Sequence, residues 1–386
     1  MPIRVLAGAL VVLVSALVLR VGQAPLRAAE GWDQAAAAAY LDARMDAWWA
    51  KAKTLKTGAG DAKCLSCHTA IPYALARPAL RIAMRESAPT PHEERILATA
   101  RQRVQHVATQ QSYYDHTEAK KVESRGVEAV LNAVILTQYD TLGRSGQGSD
   151  ASRAAIAWLW EVQRPDGAWD WLNFGLEPYE ANDAAFYGAT LASIAAGTSA
   201  GQYASRDPKG QAGLERLRGY IRGSVASQRL LNQGWALLAS ARMRGLLDAA
   251  QQNAIVRALE QAQRPDGGWS LADLGPWRWT KAEAPYAPPG TTDPALLAAS
   301  DGYATGLVVH ALRESGLAAD RPAVAKGLSW LRTNQRAVRP DDPSWAPWRA
   351  HSLNFDREHG GGKGEPWRRL FMSDLATAFA VLALTD

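Results

Sequence analysis

Apolar residues recur along most of this chain at intervals of three and four, the spacing that lines one face of an α-helix. Residues 151–162, 250–262 and 321–334 carry that amphipathic pattern. They alternate with stretches that are small and aliphatic nearly all round, such as Phe379-Ala380-Val381-Leu382-Ala383-Leu384. A helix with one apolar stripe belongs to an outer layer, and a helix apolar on every side is buried. The alternation predicts outer helices at about 34–56, 91–111, 151–163, 211–227, 249–262 and 321–334. It predicts inner helices at about 71–85, 123–139, 182–197, 230–245, 301–315 and 373–385. No stretch sustains a period of two, so no strands are expected. Six hairpins of this kind make an all-α fold, an (α/α)6 toroid with inner and outer helix rings.

The connections repeat as well. Gln163-Arg164-Pro165-Asp166-Gly167-Ala168-Trp169 returns as Gln263-Arg264-Pro265-Asp266-Gly267-Gly268-Trp269, and more loosely as Gln335-Arg336 followed by Pro340-Asp341-Asp342-Pro343-Ser344-Trp345. Pro-Asp-Gly is turn chemistry that ends a helix. Each inner helix then opens on a capping residue and an acid: Asn182-Asp183, Ser300-Asp301 and Ser373-Asp374.

The Gln-x-x-x-Gly-x-Trp copies resemble the QW repeats of squalene–hopene cyclases and related triterpene cyclases, and the resemblance spans nearly all of the chain after residue 29. It implies an (α/α)6 toroid with a central apolar cavity. It does not by itself imply cyclase activity. The family protonates its substrate from an Asp-x-Asp-Asp run at an inner-helix start. The corresponding positions here are Glu180-Ala181-Asn182-Asp183 and Ala298-Ala299-Ser300-Asp301, which lack the paired acids. Asp183, Asp301 and Asp374 are therefore weak catalytic candidates, each also readable as a helix cap, and no cyclisation of squalene is expected.

The N-terminus has a short basic segment followed by an apolar run from Val5 to Leu19, which fits a signal peptide or an uncleaved anchor over residues 1–29. The toroid occupies 30–386, and the body is expected to be exported, to a periplasm or the outer face of the inner membrane. The formal charge of +5 is spread along the chain, which excludes nucleic-acid binding as a reading. No Gly-x-Gly-x-x-Gly, P-loop or His-Glu-x-x-His is present, so nucleotide and zinc chemistry have no basis.

The candidate chemistry lies in Cys64-Leu65-Ser66-Cys67-His68, which holds both cysteines of the chain. Cys-x-x-Cys-His is the attachment signature of c-type haem, with two thioethers and the following His as proximal iron ligand. A disulfide or a redox Cys-x-x-Cys is the other reading, and it prefers a strand-to-helix context. The motif falls on an outer-to-inner connection. All such connections lie on one end of the ring, so the haem is expected over the ring's mouth. Trp169, Trp171, Trp269, Trp277, Trp279, Trp345, Trp348 and Trp367 are expected to wall that mouth, with Trp169, Trp269 and Trp345 packing outer helices together and Trp171, Trp277 and Trp279 free to face a ligand. Distal ligand candidates at that end are His116, His351, His359 and Met372, with His116 preferred, and an open sixth position remains.

The leading functional expectation is an exported monohaem c-type redox protein. It would exchange electrons with an apolar isoprenoid- or quinone-like small molecule held in the ring and with a redox partner protein. A terpenoid cyclase or lyase with structural haem, and a non-catalytic haem- or lipid-binding or sensing module, stand as alternatives.

Overall fold

The helices start where polar side chains can take the orphan N–H groups of the first turn. In the computed structural model, α1 (Gln34–Lys51) opens with the Asp33 carboxylate accepting from Ala36 N at 2.9 Å. Thr90 and Glu93 form a reciprocal capping box at α3 (Pro91–Gln105), as do Asp248 and Gln251 at α10 (Ala249–Gln261). The structure describes residues 31–57, 60–107, 111–142, 148–277, 299–339, 342, 345–353 and 370–385. The apolar run 5–19, Trp279, His359 and Trp367 lie outside the described residues. Asp33–Asp386 forms one unit, and Met1–Trp32 a separate one.

Within that unit the outer helices are α1, α3, α5 (Asp150–Glu161), α8 (Pro208–Ser224), α10 and α12 (Pro322–Thr333). The inner helices are α2 (Ala70–Ala83), α4 (Glu118–Leu142), α6 (Ala184–Gly197), α9 (Leu230–Arg242), α11 (Gly302–Glu314) and α13 (Phe371–Thr385). A short α7 (Ser199–Ala204) lies between α6 and α8. Each inner helix packs on the next, and α13 returns to α2, closing the ring. The chain is an α/α toroid, as the helical pattern predicts.

One expectation is corrected here. Strands β1 (Thr54–Thr57) and β2 (Gly60–Lys63) form an antiparallel hairpin between α1 and α2, with Thr54 paired to Lys63 and Thr57 to Gly60. Four residues per strand are too few to display a period of two, and among the described side chains of the hairpin Ala62 alone is fully buried.

The repeated Gln–Trp motif acts as a staple between successive outer helices. Gln163 Nε2 donates to Gly167 O at 3.1 Å inside its own turn and to Gly213 O of α8 at 3.0 Å. Gln263 Nε2 does the same to Gly267 O and to Ala323 O of α12, at 2.9 and 2.8 Å. Trp169 and Trp269 are fully buried and donate back to Leu159 O and Leu259 O. In the third copy Gln335 exchanges two hydrogen bonds with the backbone of Asp33, at 2.7 and 2.8 Å, which ties α12 to α1. Its tryptophan is not the expected Trp345, which bonds the nearby Ala337 O on the surface. Trp348 takes the buried place and donates to Leu331 O at 2.8 Å. Gly167 has φ +97°, and a Cβ there would stand 2.2 Å from Arg216 O, so the turn requires glycine.

The resemblance implied a central apolar cavity. Among the described residues, Tyr187 of α6, Trp235 of α9, Tyr303 of α11 and Phe379 of α13 meet in the interior, with Tyr179 against Tyr187. Trp235 and Phe379 touch at 5.2 Å although α9 and α13 are not ring neighbours, which places both rings inside.

Candidate functional site

The segment from Cys64 to His68 is set by its two flanks. Cys64 N donates to Lys53 O at 2.9 Å, continuing the hairpin, and Tyr113 OH donates to Lys63 O. On the other side the Ser66 hydroxyl accepts from Thr69 N and Ala70 N, both at 3.1 Å, and so caps α2. Trp48 of α1 donates its indole N–H to Cys64 O at 2.8 Å. The motif is thus fixed as the strand-to-helix turn itself.

Cys67 and His68 line a cavity of about 400 Å³, within the range of roughly 300–1,000 Å³ usual for ligand and cofactor sites. Trp48, Tyr114, Phe174, Tyr179 and Phe371 supply aromatic wall, and Lys51, Lys53, Glu177, Glu180, Ser352 and Met372 are among its other lining residues. Cys64 lines an adjoining pocket of about 20 Å³, and Tyr114 lines both. The two sulfurs are not joined to each other. Burial pushes the Cys64 thiol up to about 12 and Cys67 well above its ordinary value, and Glu128 and Glu180 add to the two effects respectively.

His68 is held by a chain of polar groups. Its Nδ1 lies 2.9 Å from Thr69 Oγ1, and the Thr69 hydroxyl donates to Asp374 Oδ2 at 2.7 Å. A threonine has one proton to give. With that proton directed to Asp374, Thr69 Oγ1 is left to accept from His68, which places a ring proton on Nδ1. The ring stacks on Phe371 with centroids 3.7 Å apart and meets the edge of Trp48 at 5.0 Å.

Asp374, expected as an isolated cap, is the hub of this arrangement and only 1% exposed. Arg44 donates to it from Nε at 2.6 Å and Nη2 at 3.1 Å, and Tyr40 OH donates at 2.9 Å. Burial pushes the Asp374 carboxyl up, while Arg44, Thr69 and Tyr40 favour its charge. Desolvation opposes the Arg44 charge, yet Asp374 beside it holds the guanidinium above its ordinary range. Arg44, Tyr40 and Thr69 were not singled out from sequence. A signal existed: Tyr40, Arg44 and Trp48 fall every fourth residue on the buried face of α1, an unusual place for an arginine.

The other expected residues disperse. Asp183 pairs with Arg229 at 2.5 Å, and Arg229 also holds Glu177. Asp301 caps α11, accepting from Tyr303, Ala304 and Leu271 N–H groups, while burial raises its carboxyl to about 6. The helix terminus does not keep it at an ordinary acidity, because desolvation outweighs the N–H groups. His116 is exposed and absent from the cavity wall, and His351 is also absent from that wall; of the three described distal candidates, Met372 lines it. The expected tryptophan wall is also corrected. Trp171 and Trp277 are buried and donate to the backbone of Tyr179 and of Leu271, respectively. Trp48, unremarked in the sequence, takes the wall position.

No family model matches the chain, and no curated protein matches it. Among solved structures it resembles an unsaturated glucuronyl hydrolase variant solved with dGlcA-Glc-Rha-Glc. The similarity has 13% identity and a TM-score of 0.50, and it covers 91% of this chain and 95% of that one. At that identity the likeness concerns the toroid alone.

Proposed function

We propose that this chain is a monohaem c-type electron-transfer protein on an α/α toroid, with haem joined to Cys64 and Cys67 and His68 as the proximal iron ligand. The supporting observation is that Cys67 and His68, whose Nδ1 lies 2.9 Å from Thr69 Oγ1, share one aromatic-walled cavity of about 400 Å³. One thiol and one imidazole on the wall of this cavity, with Cys64 lining the pocket next to it, suit a large flat group held at one edge. Among the described residues, no three of His, Cys, Asp and Glu gather as they would round a bare metal ion.

The redox-dithiol reading regains its strand-to-helix context from the β1–β2 hairpin. It lacks the lowered thiol acidity such chemistry uses, because burial raises both thiols. Bound haem would supply one-electron transfer. The residues of the chain orient the imidazole, exclude water with Trp48, Tyr114, Phe174 and Phe371, and offer Lys51 and Lys53 to haem carboxylates. With aromatic side chains meeting inside the ring, the apolar electron donor or acceptor in this proposal docks at the mouth. Export and a redox partner protein belong to the same proposal, and Met372, which lines the cavity, would be available to the iron.

The test is acid–acetone extraction of protein matured in a cytochrome c-competent host, followed by a pyridine haemochrome spectrum. The proposal expects retained haem with a c-type spectrum, lost in Cys64→Ala plus Cys67→Ala. Extractable haem or none refutes it.

A further inference from the structure

Resting on that reading, we infer that Thr69 and Asp374 form a carboxylate relay to the proximal ligand that lowers the haem's reduction potential. The order is His68 Nδ1–H to Thr69 Oγ1 at 2.9 Å, Thr69 O–H to Asp374 Oδ2 at 2.7 Å, and Asp374 held by Arg44 and Tyr40. Each link except the imidazole is at least nine-tenths buried by residue: Thr69 2%, Asp374 1%, Arg44 5% and Tyr40 5% exposed.

The physics follows from charge. A hydrogen bond from the second ring nitrogen toward a carboxylate makes the ligating nitrogen more basic. A more basic ligand stabilises the more positive ferric iron relative to ferrous, so the potential falls. Burial leaves little water to screen that effect. Arg44 favours the charged form of Asp374 through two hydrogen bonds, and two hydroxyls donate to the carboxylate as well. Thr69 is a positioning residue: it transmits the carboxylate to the ligand.

The test uses haem-loaded full-length protein. Thr69→Val keeps the shape and removes the hydroxyl, while Thr69→Ser keeps the hydroxyl. The expected effect of Thr69→Val is about a tenfold loss of the preference for ferric over ferrous iron. That is a positive shift of about 59 mV in a one-electron couple. Thr69→Ser should stay near wild type. A second readout, on the unaltered protein, is the His68 Nδ1 proton in the nuclear magnetic resonance spectrum of the reduced state. It should exchange slowly with solvent and be lost or shifted in Thr69→Val. If Thr69→Val does not fold, slow exchange of that proton in wild type supports the relay and rapid exchange overturns it. A Thr69→Val shift below roughly threefold in the ferric preference, in folded and haem-loaded protein, overturns the relay while leaving the haem reading intact. Wild-type protein without covalent haem removes both.

Discussion

The acidity of single buried groups decides most of the chemistry at the residue scale. Cys64 is raised to about 12 by burial, so in haem-free chain its thiolate is scarce at neutral pH. The thiolate population falls tenfold for every unit by which the pKa rises. Its reaction with a thiol reagent at pH 7 should therefore be roughly a thousandfold slower than that of an unfolded control. Stopped-flow alkylation across pH checks this, and a rate equal to the control contradicts it. Asp301 offers a linkage test. Its folded value of about 6 lies above the unfolded value of about 3.9, so its contribution to stability is present below about pH 4 and lost as pH rises through 6. The span of about two pH units corresponds to about 3 kcal/mol. Urea unfolding at pH 4 and pH 7 should show a difference that Asp301→Asn removes.

The turn between outer and inner helix carries the fold at the element scale. Gln163→Ala would leave Gly167 and Gly213 carbonyls without their donor, and about 1–3 kcal/mol of stability should be lost. Gly167→Ala should cost more than about 1 kcal/mol, because it meets both a positive φ and the Arg216 carbonyl. Denaturant midpoints of the two variants check both. The hairpins were legible in sequence because Pro-Asp-Gly is a local signal and helical periods extend over many residues. The third tryptophan is not legible because the turn after Gln335 is longer than the first two, and the first tryptophan beyond it, Trp345, is not the one that the fold buries. The β1–β2 hairpin was illegible because its pairing is local backbone geometry with almost no buried side chain to mark it.

The candidate site joins the two ends of the ring at the scale of the whole molecule. Arg44 and Tyr40 come from the first outer helix, Thr69 from the start of the first inner helix and Asp374 from the last. The pentapeptide 64–68 could be read from sequence because its residues are contiguous. The hub could not, since Arg44 and Asp374 are 330 positions apart and only ring closure brings them together. Arg44→Ala leaves the Asp374 charge buried and should destabilise the fold by roughly 3–5 kcal/mol. Thermal unfolding followed by circular dichroism measures this, and an unchanged midpoint would mean that the closure does not depend on the pair.

The most direct measurement of the central claim is the mass of the tryptic peptide that begins at Cys64, after Lys63, from protein matured in a competent host. Arg77 is followed by Pro78, so the peptide extends to Arg81. It should carry the mass of one haem and fragment with the addition on Cys64 and Cys67. An unmodified peptide, or one bearing only a Cys64–Cys67 disulfide, contradicts the account.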